Sequence, residues 1–319
     1  IMLETRLLSR SQQLDYAAQL PIEMQRWNVA NPAAPVALRA QEPDVPQMQR
    51  LPAIYESVGG ELRPVLDWRR AQRLVADPRN LPDGFFIAPD RAAIDALLNA
   101  PDRQLMGEAQ ERWFAEELAH SRQTRTAWQI IGNQVLMAPL DAPDLSTTPP
   151  ALAQALERLR PGVTQLLKLS RFPFPLNTDA WDGYPAARNR VLSAIRAAGA
   201  NAIVVTGDTH TAWANEIADA QGRVAVEFGA TSITSPSDAD FFTPFGVDFA
   251  GSVRARNPHI KWTDPSHRGF LVLSLTREQA TAEFFAVSTI MSQAYDVTRT
   301  AAFTVDASDA GAGAIAEAP

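Results

Sequence analysis

Residues 202–219, AIVVTGDTHTAWANEIAD, constrain this chain more than any other stretch. Ile203-Val204-Val205 is a β-branched run with no polar alternation, the pattern of a strand buried on both faces. It ends at Thr206-Gly207, and Asp208 and His210 follow within three positions. An open α/β sheet places its ligands just beyond the carboxyl ends of its parallel strands. A carboxylate and an imidazole at that point are donors for a metal ion, and Gly207 removes a Cβ where backbone and ligand come close. The plain alternative is an aspartate that caps the next helix beside a half-buried histidine. The residues alone leave both readings open.

Composition narrows the rest. With 319 residues, 46% of them hydrophobic, the chain can build one large core or two moderate ones. A formal charge of −7 argues against nucleic acid or an anionic membrane as the main partner. There are no cysteines, which excludes disulfides, thiolate ligands and a cysteine nucleophile. No apolar run reaches the roughly 20 residues that span a bilayer, and no signal-peptide pattern opens the sequence. Ile1-Met2-Leu3 is apolar from the first residue, like the end of a buried strand. The expectation drawn from it is a chain that begins mid-domain.

In chain order, Ser9 and Ser11 with Leu14, Ala17 and Ala18 suggest a turn into a helix that Pro21 interrupts. Arg6 and Arg10 are candidates to meet an anion. Residues 29–103 are punctuated by proline and read as an irregular insertion with short helices such as 90–99. It is either a lid over a site or an outward excursion. Residues 105–121 predict an amphipathic helix with an aromatic face, from the pairs Ala109/Trp113 and Phe114/Leu118. Residues 126–141 read as a buried strand, with Gly132-Asn133-Gln134 inside it as a structural triplet. A helix follows at 150–168, with Leu152, Leu156 and Leu159 on one side and a break at Pro161-Gly162.

Pro185 to Ala198 predicts a helix with proline at its start and Gly199 past its end. The loop before it packs Asp179, Trp181, Asp182 and Tyr184 together. Residues 224–237 read as a second buried strand turning into a hydroxyl-rich loop, and Phe241 to Ala250 as irregular. Leu271–Leu273 and 281–289 form an antiparallel hairpin turning at Thr276–Gln279. The final GAGAIAEAP, within 306–319, is expected to be a disordered or loosely attached tail.

Six stretches together resemble the alkaline phosphatase D (PhoD-like) family of metallophosphatases: MLETR (2–6), LMGEAQERWFAEEL (105–118) with NQVLMAPLD (133–141), DAWDGYPAARNRVL (179–192), NAIVVTGDTHTAWANEI (201–217), VEFGATSITSPS (226–237) and NPHIKWTDPSHRGF (257–270). The resemblance implies the α/β fold class: a metallophosphatase-like α/β/β/α sandwich, mixed sheets flanked by helices, with residues 1–305 as its carboxy-terminal part. It implies hydrolysis of phosphate mono- or diesters, with metal-bound hydroxide attacking phosphorus and iron with calcium as the ions. By the family pattern Asp208 and His210 match a metal-ligand motif. Trp181, Asp182, Tyr184 and His259 match segments near the site and are candidates for substrate binding. A periplasmic or secreted location is also implied.

The departures are as informative. The family's early motifs, including an aspartate-aspartate-histidine-glutamate stretch that supplies most metal ligands, have no counterpart here. The segments resembling MLETR and the LG..Q..W helix are close together in the family, whereas about a hundred residues separate them in this chain. The expectation is therefore an enzyme whose other ligands come from an upstream amino-terminal half or a partner chain. The competing expectation is a non-catalytic subunit or binding protein that keeps half of the fold.

Overall fold

The computed structural model describes residues 1–13, 28–29, 36–37, 52–65, 70, 73–74, 81–89, 91–159, 163–164, 167, 170–171, 173–237, 239–242, 246–308 and 311–318. The helix expected beyond Leu14 and the break at Pro161-Gly162 lie outside these residues. The chain divides into two compact units, Gln13–Ala100 and Ile1–Gln12 with Pro101–Pro319.

The smaller unit corresponds to the proline-rich insertion. It pairs β1 (Asn28–Val29) with β2 (Val36–Ala37), and β3 (Pro52–Val58) with β4 (Glu61–Pro64) and β5 (Phe85–Pro89). Helix α1 (Arg91–Leu98) follows, as expected for 90–99. The three-stranded sheet corrects the irregular reading. Pro52 opens β3, Pro64 closes β4 and Pro89 closes β5, so these prolines mark strand ends, where a missing N–H is tolerated. Gly59-Gly60, both at positive φ, make the tight turn between β3 and β4.

The larger unit is built on a mixed sheet. Its strands are β6 (Gln129–Gly132), β7 (Ala202–Thr206), β8 (Ala212–Asp219), β9 (Gly222–Gly229) and β10 (Ile260–Asp264). They lie in the order β10-β8-β9-β7-β6. β6, β7 and β9 run parallel, and β8 is antiparallel to both its neighbours. Met2 bridges Gly132 in parallel, so Ile1–Leu3 lies along β6 as the apolar opening suggested.

Helices α2 (Glu108–Gln123) and α4 (Pro185–Ala198) cover one face, with α3 (Pro150–Leu159) between them in sequence. Phe114, Leu118, Val191, Leu192 and Ile195 pack there on Ala202, Val204, Ile217 and Ala225. The α4 bounds follow from Pro185 at its first turn and Gly199 in the left-handed conformation past its end. Trp113 is 39% exposed, a correction to the aromatic-face reading. Successive helical residues are turned by about 100°, so the side that buries Phe114 and Leu118 leaves Trp113 outside.

The other face of the mixed sheet meets an antiparallel sheet, β11 (Gly269–Leu275), β12 (Gln279–Val287), β13 (Val297–Asp306) and β14 (Ala316–Glu317). Ile203, Val226 and Phe228 interdigitate with Phe284, Phe303 and Val305 between the sheets. Helix on sheet on sheet accounts for three layers of the expected sandwich. The outer face of the antiparallel sheet carries Phe270 and Val272 exposed, with Phe270 stacked on Phe285 at 5.2 Å.

Short helices α5 (Ala239–Phe242) and α6 (Phe249–Arg256) interrupt the segment read as irregular. The tail is also corrected: Ala312 is buried, β14 pairs with β13, and the Ile315 amide donates to Glu216 Oε1 at 3.2 Å. Small residues cannot build a core alone, but they fill space beside one already built.

Candidate functional site

The expected strand at 126–141 is short. β6 stops at Gly132, and the buried segment after it is held by carboxylates instead of by a neighbouring strand. Glu227, wholly buried on β9, accepts the amides of Met137 (2.7 Å) and Ala138 (3.0 Å) and the Asn215 side-chain amide (3.0 Å). Burial pushes the Glu227 carboxyl up, and these three donors oppose that shift. Asp182 takes the Leu140 amide at 2.8 Å. Gln134 Oε1 accepts both the amide and hydroxyl of Thr5 at 2.8 Å, which fastens the start of the chain to this segment. The triplet at 132–134 is therefore structural, as read from sequence, although it stands at the end of β6.

Beyond β7, residues 207–211 form a tight loop. Asp208 (φ 72°) and His210 (φ 55°) are both left-handed, and only Arg125 shares this among the described non-glycine residues. Aspartate and histidine tolerate that region better than most residues, but it still stores strain of a kind found at functional sites. β8 follows the loop, so Asp208 has no helix to cap and that reading is removed.

Surrounding contacts hold the loop in place. Trp213, buried on β8, donates its indole N–H to Thr209 Oγ1 at 2.7 Å. Gly229 on β9 leaves room for that indole, since a Cβ there would sit 2.8 Å from Trp213 Cδ1. Thr231 Oγ1 donates to the His210 carbonyl at 3.0 Å. The His210 ring faces the Pro236 carbonyl through Nδ1 at 2.7 Å, so Nδ1 is the donor there and Nε2 is the nitrogen that a neutral ring would offer as a ligand. Metal-ligating histidines are commonly oriented in this way, through the nitrogen that does not bind.

Asp208 faces the opposite loop through arginine. Arg6 Nη2 donates to Asp208 Oδ1 at 2.8 Å, and Arg6 Nη1 pairs with Asp179. Arg10 pairs with the other oxygen of Asp179 and donates to its carbonyl at 2.9 Å. Partial burial alone would push the Asp179 carboxyl up, but the hydrogen bonds from Arg6 and Arg10 outweigh it and hold it below its usual range. Two arginines and two carboxylates thus meet at the carboxyl end of β7, the end at which His210 also stands. Asp208 and His210 supply one oxygen and one nitrogen donor, a set that fits a metal ion, although no group of three such donors lies together among the described residues.

A sequence profile of PhoD-like phosphatases matches residues 1–284. The chain belongs to the PhoD-like phosphatase family. Alkaline phosphatase D of Bacillus subtilis (strain 168) is 28% identical over 193 residues, covering 58% of this chain and 27% of that protein. The chain thus spans about a quarter of that curated relative's length. A solved structure of PhoD shares the fold, with a TM-score of 0.51 at 24% identity over 70% of this chain and 37% of that one. Among the described residues no helix is long and apolar enough to cross a membrane.

Within this PhoD-like fold the other candidate residues have supporting places. Trp181 is fully buried in the helix-side core, and its indole faces Asn133 Oδ1 at 3.3 Å. Asp182 is buried and paired with Arg188 at 2.6 Å. Tyr184 is fully buried, donates to the Ser11 carbonyl at 2.8 Å and accepts from Arg10 Nε at 2.8 Å. Its ring lies against the guanidiniums of Arg10 and Arg103, at 5.3 and 4.7 Å. All three side chains are buried and turn their polar atoms to protein groups. Tyr184 is joined to the Asp179 cluster through Arg10. His259 turns its Nε2 to the Pro139 carbonyl at 2.6 Å, on the 137–140 segment, and no hydrogen bond joins it to Asp208 or His210 among the described residues.

Thr209, Trp213 and Thr231 were not singled out for the site by sequence reasoning. Asp179 stood in the polar-aromatic loop, and Trp213 lies only three residues after His210; their spacing was visible, but their contacts were not.

Proposed function

We propose that this chain is part of a metal-dependent phosphoric ester hydrolase acting on phosphate mono- or diesters. The observation that carries the reading is the loop after β7, where two left-handed residues hold Asp208 toward Arg6 and leave His210 Nε2 open. In this reading Asp208 and His210 are metal ligands, and the remaining ligands come from an upstream segment or a partner chain outside these 319 residues. Iron and calcium suit the donor set, since imidazole suits iron and carboxylate oxygen suits calcium. Bound ions would supply positive charge at the phosphoryl group and a more acidic water.

The chain's own residues do the rest. A phosphate ester repels an incoming nucleophile, so cations placed on its oxygens lower the barrier. Arg6 and Arg10 are anchored there by Asp179, and Tyr184 keeps Arg10 in place. Arg6 neutralises Asp208; were Asp208 to hold a metal ion, Arg6 Nη2 would be left for a phosphate oxygen. The reading is tested by hydrolysis of a chromogenic phosphate ester by the full-length protein with and without chelator. Turnover lost on chelation and restored by added metal supports it, whereas turnover indifferent to metal refutes it.

A further inference from the structure

A second histidine stands beside the loop of Asp208 and His210. β10 ends at Asp264, whose register partner is Ala212, the residue that directly follows that loop. Three positions on, His267 Nδ1 meets Asp264 Oδ2 at 2.7 Å. The remaining oxygen of Asp264 accepts the amides of Ser266 (2.9 Å) and His267 (3.2 Å). A carboxylate engaged only by donors is an acceptor at every contact, so Nδ1 of His267 carries a proton and Nε2 is the nitrogen left open. Thr231 ties this corner to the site, because its hydroxyl lies 3.0 Å from the His210 carbonyl and 2.9 Å from that of His267. The His267 side chain is 57% exposed, whereas Asp264 beneath it is only 15% exposed.

An imidazole oriented by a carboxylate through Nδ1 and open at Nε2 is built to move a proton. Among the described residues the other charged groups of these loops have partners of their own. Arg268 is paired with Asp240, His210 is turned to Pro236, and Asp208 is held by Arg6.

Resting on the hydrolase reading, we propose that His267 is a catalytic residue that protonates the leaving alcohol, with Asp264 orienting it. Water forms its oxygen–phosphorus bond and gives up one proton to solvent while the bond from phosphorus to the ester oxygen breaks. The electron pair of the broken bond goes to the ester oxygen, which takes the proton from Nε2 of the imidazolium. The alcohol departs neutral, and the neutral imidazole regains a proton from solvent.

The need for this proton depends on the leaving group. A nitrophenolate departs without help, whereas an alkoxide does not. The test compares nitrophenyl phosphate with an alkyl phosphate in the metal-loaded full-length protein, for wild type, His267→Gln and Asp264→Asn. His267→Gln is expected to lower kcat/KM on the alkyl ester about 100-fold and to change the nitrophenyl ester by no more than about 3-fold. Asp264→Asn is expected to fall between wild type and His267→Gln on the alkyl ester. Equal losses on both esters, or none on the alkyl ester, overturn the role of His267. Wild-type protein that cleaves neither ester removes the hydrolase reading and this proposal with it, an outcome distinct from the other two. Should Asp264→Asn fail to fold, the exposed His267→Gln variant decides alone.

Discussion

Trp213 donates its indole N–H to Thr209 Oγ1 at 2.7 Å, reaching back four residues to the middle of the loop between Asp208 and His210. The bond joins a residue fixed in the core to the one segment that holds both candidate ligands in a strained conformation. Loop shape is therefore set from inside the sheet.

Trp213→Phe deletes the donor together with one ring of the indole, whereas Thr209→Val deletes the acceptor with almost no change of volume. Trp213→Phe is expected to lower stability by about 1 kcal/mol and kcat/KM by about tenfold, as small misplacements at a site do. Thr209→Val should give a similar loss. The double variant should lose little more than either single one, because both remove the same bond. Additive losses in denaturation and in rate would show that the bond does not hold the loop.

Gly229→Ala puts a methyl group 2.8 Å from Trp213 Cδ1 and 3.2 Å from Thr206 Oγ1. Both are packed against the sheet, so the indole must shift. The expected cost is about 1–3 kcal/mol, together with the activity loss of Trp213→Phe. A thermal melt and rate equal to wild type would mean that the indole has space to spare.

Asp179 titrates below its ordinary value of 3.8 because Arg6 and Arg10 outweigh its partial burial. A carboxyl with a depressed native pKa adds stability that is complete above the unfolded value and fades as pH falls through the native one. Asp179→Asn should therefore lower stability near neutral pH and flatten the loss of stability below about pH 4. Denaturation midpoints measured across that range check this, and parallel acid limbs in the two proteins would contradict it.

Glu227 holds three donors with its two oxygens and is shut away from water. Glu227→Gln turns an NH2 group toward at least one of them, leaving unsatisfied donors at a cost of about 1–3 kcal/mol. Hydrogen exchange at Met137 and Ala138 should rise with it, and unchanged protection there would count against this role.

Legibility in the sequence followed the locality of the forces. Residues 185–198 and 202–206 were readable to the residue because proline, glycine and an unbroken β-branched run act within the element itself. The hairpin of β11 and β12 was readable for the same reason. β13 escaped because Val297–Thr300 is exposed and Phe303 and Val305 are buried, so no single alternation runs through it. The end of β6 was misjudged because Glu227, ninety residues away, satisfies the backbone of an apolar segment that has no strand beside it. The GDTH loop was visible as chemistry, but its anchors Trp213, Thr231 and Pro236 act through contacts that spacing does not encode. Trp181 and Tyr184 look alike in sequence at any depth, and spacing does not encode that both are fully buried.

Asp208→Asn in the full-length protein is the most direct test of the site, since it removes the charge of a candidate ligand and almost no volume. Metal content by elemental analysis and turnover of a chromogenic phosphate ester are measured together with a thermal melt. The account predicts an unchanged fold, less bound metal and a loss of at least about 100-fold in kcat/KM. Wild-type turnover with wild-type metal content in that variant would contradict it.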